Sequence, residues 1–260
     1  MAVLAPQRGT QRIFAVNPVA KLTASLLLSA FLLVTIDWVS AAVALVLESV
    51  LFVWAGLGPR AFFRRTFAIW IAAPLAGLTT LLYGVTSGQV YFEFWLVHIS
   101  DGSIALAVAT VLRILAIGLP AVVLFATIDP TDLADGLAQV WHLPSRFVLG
   151  ALAGMRLIGL FLQDWKQLEL ARRARGLGDT GRLRRFANQA FALLVISLRR
   201  GSKLATAMEA RGFGGSTART WARSSPFGGR EWLLIGAGAL VGAVALTTAT
   251  VTGTVNFVIG

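Results

Sequence analysis

Residues 104–128 read IALAVATVLRILAIGLPAVVLFATI, from Ile104 to Ile128, with Arg113 as the single charge. A helix needs roughly 20 predominantly apolar residues to cross the hydrocarbon core of a bilayer, and this run exceeds that. Four more apolar runs lie outward from it, at 22–36, 39–57, 66–86 and 232–252. Five spans are expected, hence an all-α integral membrane protein. The first run is short, and Lys21 and Trp38 are expected to complete it by snorkelling or anchoring at opposite interfaces.

The whole composition agrees with lipid as the solvent. Of 260 residues, 57% are hydrophobic and 13% charged, which sets the chain apart from ordinary soluble domains. The first apolar run starts late and shows no A-x-A-like site, so a cleaved signal peptide is not expected. No cysteine is present, which removes disulfides, thiolate metal sites and cysteine nucleophiles. Two histidines, His98 and His142, leave little material for a metal cage. No cofactor is expected and catalysis by this chain is not indicated.

The net charge of +11 is arranged on one side. With the N-terminus in the cytoplasm, Arg8, Arg12, Lys21, Arg60, Arg64, Arg65 and every Lys and Arg from Arg146 to Arg230 fall inside. Only Arg113 lies within a span. The outer segments 37–38 and 87–103 carry Asp37, Glu93 and Asp101 and no basic residue. The expected layout is 1–128 with four spans, 129–230 as a cytoplasmic region and 231–260 with the last span. The aromatic-rich connection 87–103, which contains His98, is expected along the outer interface.

Within 129–230, Asp129-Pro130-Thr131-Asp132-Leu133 reads as the start of a short amphipathic helix. Pro144-Ser145 then opens a long helix to about Arg175, and a second runs from about Leu183 to Arg211. Crossing the membrane with either would strand Lys166, Arg172, Arg173, Arg175, Arg182, Arg184 and Arg185 outside, so both are expected to lie at the cytoplasmic interface. Gly150-x-x-x-Gly154 and Gly238-x-x-x-Gly242 would permit close helix approach. Arg182, Arg184 and Arg185 suit lipid headgroups. No nucleic-acid module accompanies the charge, so nucleic acid is not an expected partner.

The two long helices end alike, in Ala174-Arg175-Gly176-Leu177-Gly178 and Ala210-Arg211-Gly212-Phe213-Gly214. One such ending is an ordinary helix stop, with arginine against the dipole and glycine in the left-handed region. Two copies suggest two plugs for two sockets. A guanidinium binds a carboxylate bidentately, and the small flanking residues admit a partner surface. Burying such an arginine against an acidic partner makes its truncation cost about 2–5 kcal/mol. Arg113 and Glu48 lie at similar depth, on the order of 13 Å inside their spans, which leaves two readings: an intramembrane Glu48–Arg113 pair, or a snorkelling Arg113 with a protonated Glu48.

These residues resemble the T component of energy-coupling factor (ECF) transporters. Pro18-Val-Ala-Lys21-Leu22 looks like the family's early motif, Pro130-Thr-Asp-Leu133 like a segment preceding its coupling helices, and the paired Ala-Arg-Gly sequences like its two docking motifs. The resemblance implies that Ala174, Arg175, Gly176 and Ala210, Arg211, Gly212 dock two ATP-binding-cassette ATPases, identical or homologous. It also implies that Leu204, Met208 and their neighbours hold a separate substrate-binding membrane subunit for a vitamin or metal ion. Arg173 beside the first motif departs from the family pattern and puts its contacts in doubt. No Walker A sequence is present, so nucleotide would come with the partners. The rival readings are a self-sufficient small permease and a lipid-binding membrane scaffold.

Overall fold

The computed structural model describes residues 16–54, 59–84, 87–94, 97–176, 181–215 and 220–253. Arg8, Arg12 and the Leu177-Gly178 end of the first motif lie outside the described residues. Eight α-helices occur among the described residues: α1 Pro18–Val34, α2 Trp38–Trp54, α3 Pro59–Tyr83, α4 Asp101–Phe125, α5 Pro130–Gln139, α6 Ser145–Ala174, α7 Arg182–Ala210 and α8 Gly229–Val251. Residues up to Gly136 together with those from Ser225 onward form one compact unit, and Leu137–Ser224 form a second.

The first unit is built on α1, α2, α4 and α8, with α3 packed on α4. Its core is a cluster of Leu28 and Leu32 from α1, Ala44 from α2, Ala116 from α4, and Val241 and Ala245 from α8. Small residues dominate because helices without a hydrophobic driving force between them gain from close backbone approach. Gly238 and Gly242 show this directly. A Cβ at Gly238 would sit 2.9 Å from the Ala24 carbonyl oxygen, and one at Gly242 would sit 2.6 Å from the Phe31 ring. Gly150 and Gly154 on α6, by contrast, face open space.

Large apolar side chains cover the outside of this unit. Phe63, Phe67, Ile71 and Leu75 on α3, Val46 and Val50 on α2, and Trp232, Leu233 and Leu240 on α8 are all more than half exposed. Helices apolar on every face are what a lipid environment selects. By length and composition α3, α4, α6 and α8 can cross a membrane. The helices α1 and α2, at 17 residues each, stand at the short end of the spanning range. The inclusion of α6 differs from the charge-based reading. Its N-terminal half is interrupted only by Arg156 after Arg146, and its basic residues crowd the far end.

Three local features anchor the spans. Asp37 caps α2, accepting from the Ser40 amide at 2.7 Å and the Ser40 hydroxyl at 2.6 Å. Ser100 and Ser103 form a reciprocal capping box at the start of α4. The connection before α4 is a short antiparallel hairpin, β1 Val90–Phe94 and β2 Val97–Ser100, where only an interfacial connection was expected. The third anchor joins the two parts of this unit. Asn17 Nδ2 donates to Ser225 Oγ at 2.8 Å and to the Pro226 carbonyl at 2.9 Å, while Glu231 accepts from the Asn17 and Gly228 amides. Gly136 lies against the same place: a Cβ there would meet Val19 at 2.5 Å, Asn17 Oδ1 at 3.1 Å and Ser225 Oγ at 3.4 Å.

Candidate functional site

The second unit holds the two Ala-Arg-Gly endings, each built as a helix stop. Arg175 closes α6 with φ −90° and Gly176 follows at φ +73°, its amide donating to the Arg173 carbonyl at 3.0 Å. Arg211 closes α7 with φ −92° and Gly212 follows at φ +76°. There the full double bond of a Schellman stop forms, with the Gly212 amide on Glu209 O at 2.9 Å and the Phe213 amide on Met208 O at 3.0 Å. Glycine is required at both positions because left-handed backbone penalises a Cβ.

The helix-stop role is therefore real, and it leaves the guanidinium groups unused. Both Arg175 and Arg211 are exposed, and neither guanidinium makes a hydrogen bond or ion pair among the described residues. Arg173, the departure from the family pattern, is spent locally: its Nη2 holds Glu169 Oε1 at 2.6 Å one turn back.

The helices that carry these ends touch through side chains at two places. Asp164 on α6 receives both guanidinium nitrogens of Arg200 on α7, at 2.5 and 3.3 Å. The next residue, Trp165, packs its ring 5.5 Å from that of Phe186. Neighbours on α6 thus reach points about 21 Å apart along α7. Between the N-terminal half of α6 and the C-terminal half of α7 lies a groove of about 1010 Å³, lined by Leu149, Leu152, Leu204 and Met208 together with the basic Arg146, Arg156, Arg200 and Arg211. Leu204 and Met208 thus line an open groove of mixed apolar and basic character.

The N-terminal motif belongs to the other unit. Lys21 does not snorkel to an interface: it is 1% exposed, and its Nζ donates to Thr127 Oγ1 at 3.0 Å and Thr127 O at 3.3 Å, with Asp132 as the nearby charge. It sits one turn inside α1, beside Pro18 at the helix start, where the bundle surrounds it. The motif fastens the start of α1 to the end of α4.

The Glu48–Arg113 pair is not formed. Arg113 Nη2 donates to the Leu33 carbonyl at 3.2 Å, while both carboxylate oxygens of Glu48 are buried with no hydrogen-bond partner. Equal depth placed the two residues on one level of the membrane but could not place them on facing sides of α2 and α4. Sequence reasoning missed Asn17, Thr127 and Glu231, which carry no motif signal. It also missed Asp164 and Arg200, for which a signal existed in the register of the repeat. Among the described residues no cluster of three or more His, Asp or Glu side chains could hold a metal.

The chain matches known proteins in sequence. The CbiQ family profile, described as cobalt transport protein, matches residues 9–221. The chain is similar to the energy-coupling factor transporter transmembrane protein EcfT of Limosilactobacillus fermentum, 29% identical over 64% of this chain and 63% of the relative. To EcfT of Lactococcus lactis it is 31% identical over 62% of this chain and 67% of the relative. The alignment to EcfT of Bacillus selenitireducens covers 92% of this chain and 93% of the relative at 25% identity. The matched region therefore spans about two thirds of the first two relatives and nearly all of the third. An all-α membrane bundle with an early Pro-x-x-Lys motif and two arginine-ended helices, matched by the profile over most of its length, makes this chain a member of the CbiQ family, the transmembrane T components of ECF transporters.

Proposed function

We propose that this chain is the coupling subunit of an ECF transporter, passing ATP-driven motion from two ABC ATPases to a separate membrane subunit that binds a vitamin or metal ion. The observation that carries the reading is the pair of exposed arginines, Arg175 and Arg211, whose guanidinium groups have no partner among the described residues and which each stand on a glycine-stopped helix end. Two identical plugs fit two like sockets. The chain itself hydrolyses nothing, and nucleotide chemistry belongs to the ATPases. The second unit and the N-terminus face the cytoplasm, where all Lys and Arg but Arg113 then lie. The groove with Leu204 and Met208, leucine-lined and edged by arginines, is part of the seat of the substrate-binding subunit.

The test is co-purification of ATPases with the tagged chain. Because neither guanidinium has a partner among the described residues, Arg175→Ala and Arg211→Ala should leave the chain's own stability within about 0.5 kcal/mol. Each should weaken one ATPase contact by about 2–5 kcal/mol, roughly 30-fold to several thousand-fold, since an acidic socket would be left desolvated. The double variant should lose ATP-driven uptake with the spans folded. Full uptake by the double variant overturns the docking roles, and transport by this chain alone in vesicles identifies a permease instead.

A further inference from the structure

The two long helices share more than their endings. Asp164 stands eleven residues before Arg175, and Arg200 stands eleven residues before Arg211, so the members of the inter-helix ion pair occupy equivalent positions of the two halves. At 1.5 Å per residue each arginine end lies about 16 Å from its own side of the pair. The pair is bidentate, with Asp164 at 15% and Arg200 at 36% side-chain exposure. Two parallel N–H···O bonds fix orientation as well as distance. A second contact joins the helices, between the ring of Trp165, next to Asp164, and that of Phe186, fourteen residues before Arg200 on α7.

We propose that Asp164 and Arg200 form the pivot of the coupling unit, a positioning pair that holds two equal lever arms. This rests on the docking reading of Arg175 and Arg211. Turning one helix by about 10° about such a pivot displaces its arginine by about 3 Å, given arms of about 16 Å. Equal arms give equal displacements, so neither ATPase works against a longer lever. A pivot of opposite charges differs from an apolar crossing in one respect: it transmits rotation only while both charges are present.

The chain has no cysteine, so spin labels can be placed cleanly on Ala171→Cys and Ala207→Cys, exposed alanines seven residues beyond Asp164 and Arg200. In the full complex, the label separation should change between the nucleotide-free and ATP-bound states. Asp164→Asn should broaden the distance distribution and lower uptake per ATP hydrolysed on the order of tenfold, a factor in keeping with the loss of one charge-assisted pair. Asp164→Arg and Arg200→Asp should each do the same, and the two together should restore both readouts. ATPase retention should stay at the wild-type level in all of them, since Arg175 and Arg211 are intact. Wild-type distances and uptake in Asp164→Asn, or failure of the swapped pair to rescue a folded complex, overturns the pivot. Loss of the docking reading itself would appear separately, as ATPases still retained by the Arg175→Ala, Arg211→Ala chain.

Discussion

Replacing Lys21 by Met tests whether the early motif is architectural. Methionine matches the length of lysine and fills the same space, so the change removes the ammonium with little change in packing. The Thr127 hydroxyl already donates to the Leu124 carbonyl at 2.7 Å, so toward Lys21 it acts only as an acceptor. Without Nζ, Thr127 Oγ1 and Thr127 O lose a charged donor at a site where Lys21 is 1% exposed. A hydrogen bond to a charged group is worth about 1.5–3 kcal/mol. Asp132 is exposed and rehydrates, and the ammonium no longer has to be desolvated, so a net loss of about 2–3 kcal/mol is expected. For a chain of this size that lowers the thermal midpoint by roughly 5–10 °C. Melting of the detergent-solubilised chain measures it, and Thr127→Val with Lys21→Met completes a double-mutant cycle with a coupling of about 1–2 kcal/mol. A Lys21→Met chain that melts with the wild type and shows no coupling to Thr127 would refute the reasoning.

Two further outcomes follow from single residues. Glu48→Gln should leave the thermal midpoint unchanged or raise it, because neither carboxylate oxygen has a partner to lose and the neutral amide is cheaper to bury; a marked loss of stability in the melt would reinstate the ion pair with Arg113. Gly212→Ala meets open space, so its cost should come from the positive φ alone, about 1–2 kcal/mol at the α7 stop, with Gly212→Asn less costly. Circular dichroism melting and ATPase co-purification of the two variants check it, and an alanine variant with full stability and binding would remove the need for a left-handed residue there.

Local signals in the chain located the helices well because their punctuation is local. Pro130 and Pro144 open α5 and precede α6, and Gly176 and Gly212 follow α6 and α7, all within the reach of a few residues. Long-range pairings were not legible in that way. Lys21 looked like an interfacial residue because its position near a span end is readable, whereas its enclosure by the end of α4 depends on how the bundle closes. Glu48 and Arg113 failed for a related reason, since depth is read along one helix and facing requires two. The hairpin at Val90–Ser100 had a legible pattern of β-branched and aromatic residues, but the aromatic content drew the reading to the membrane interface. The Asp164–Arg200 pair could have been found: extending the repeat backward from the two arginines brings opposite charges to matching places.

The close approach at Gly136 gives the chain an unusual seam. Leu137–Ser224 leaves the first unit at Gly136 and re-enters it at Ser225, and the two points lie side by side against Asn17. An insert whose entry and exit share one doorway can be exchanged as a cassette without re-threading its host. Swapping this segment between relatives, cut at Gly136 and Ser225, should give chimaeras whose membrane bundle folds as before while the choice of ATPase follows the donor.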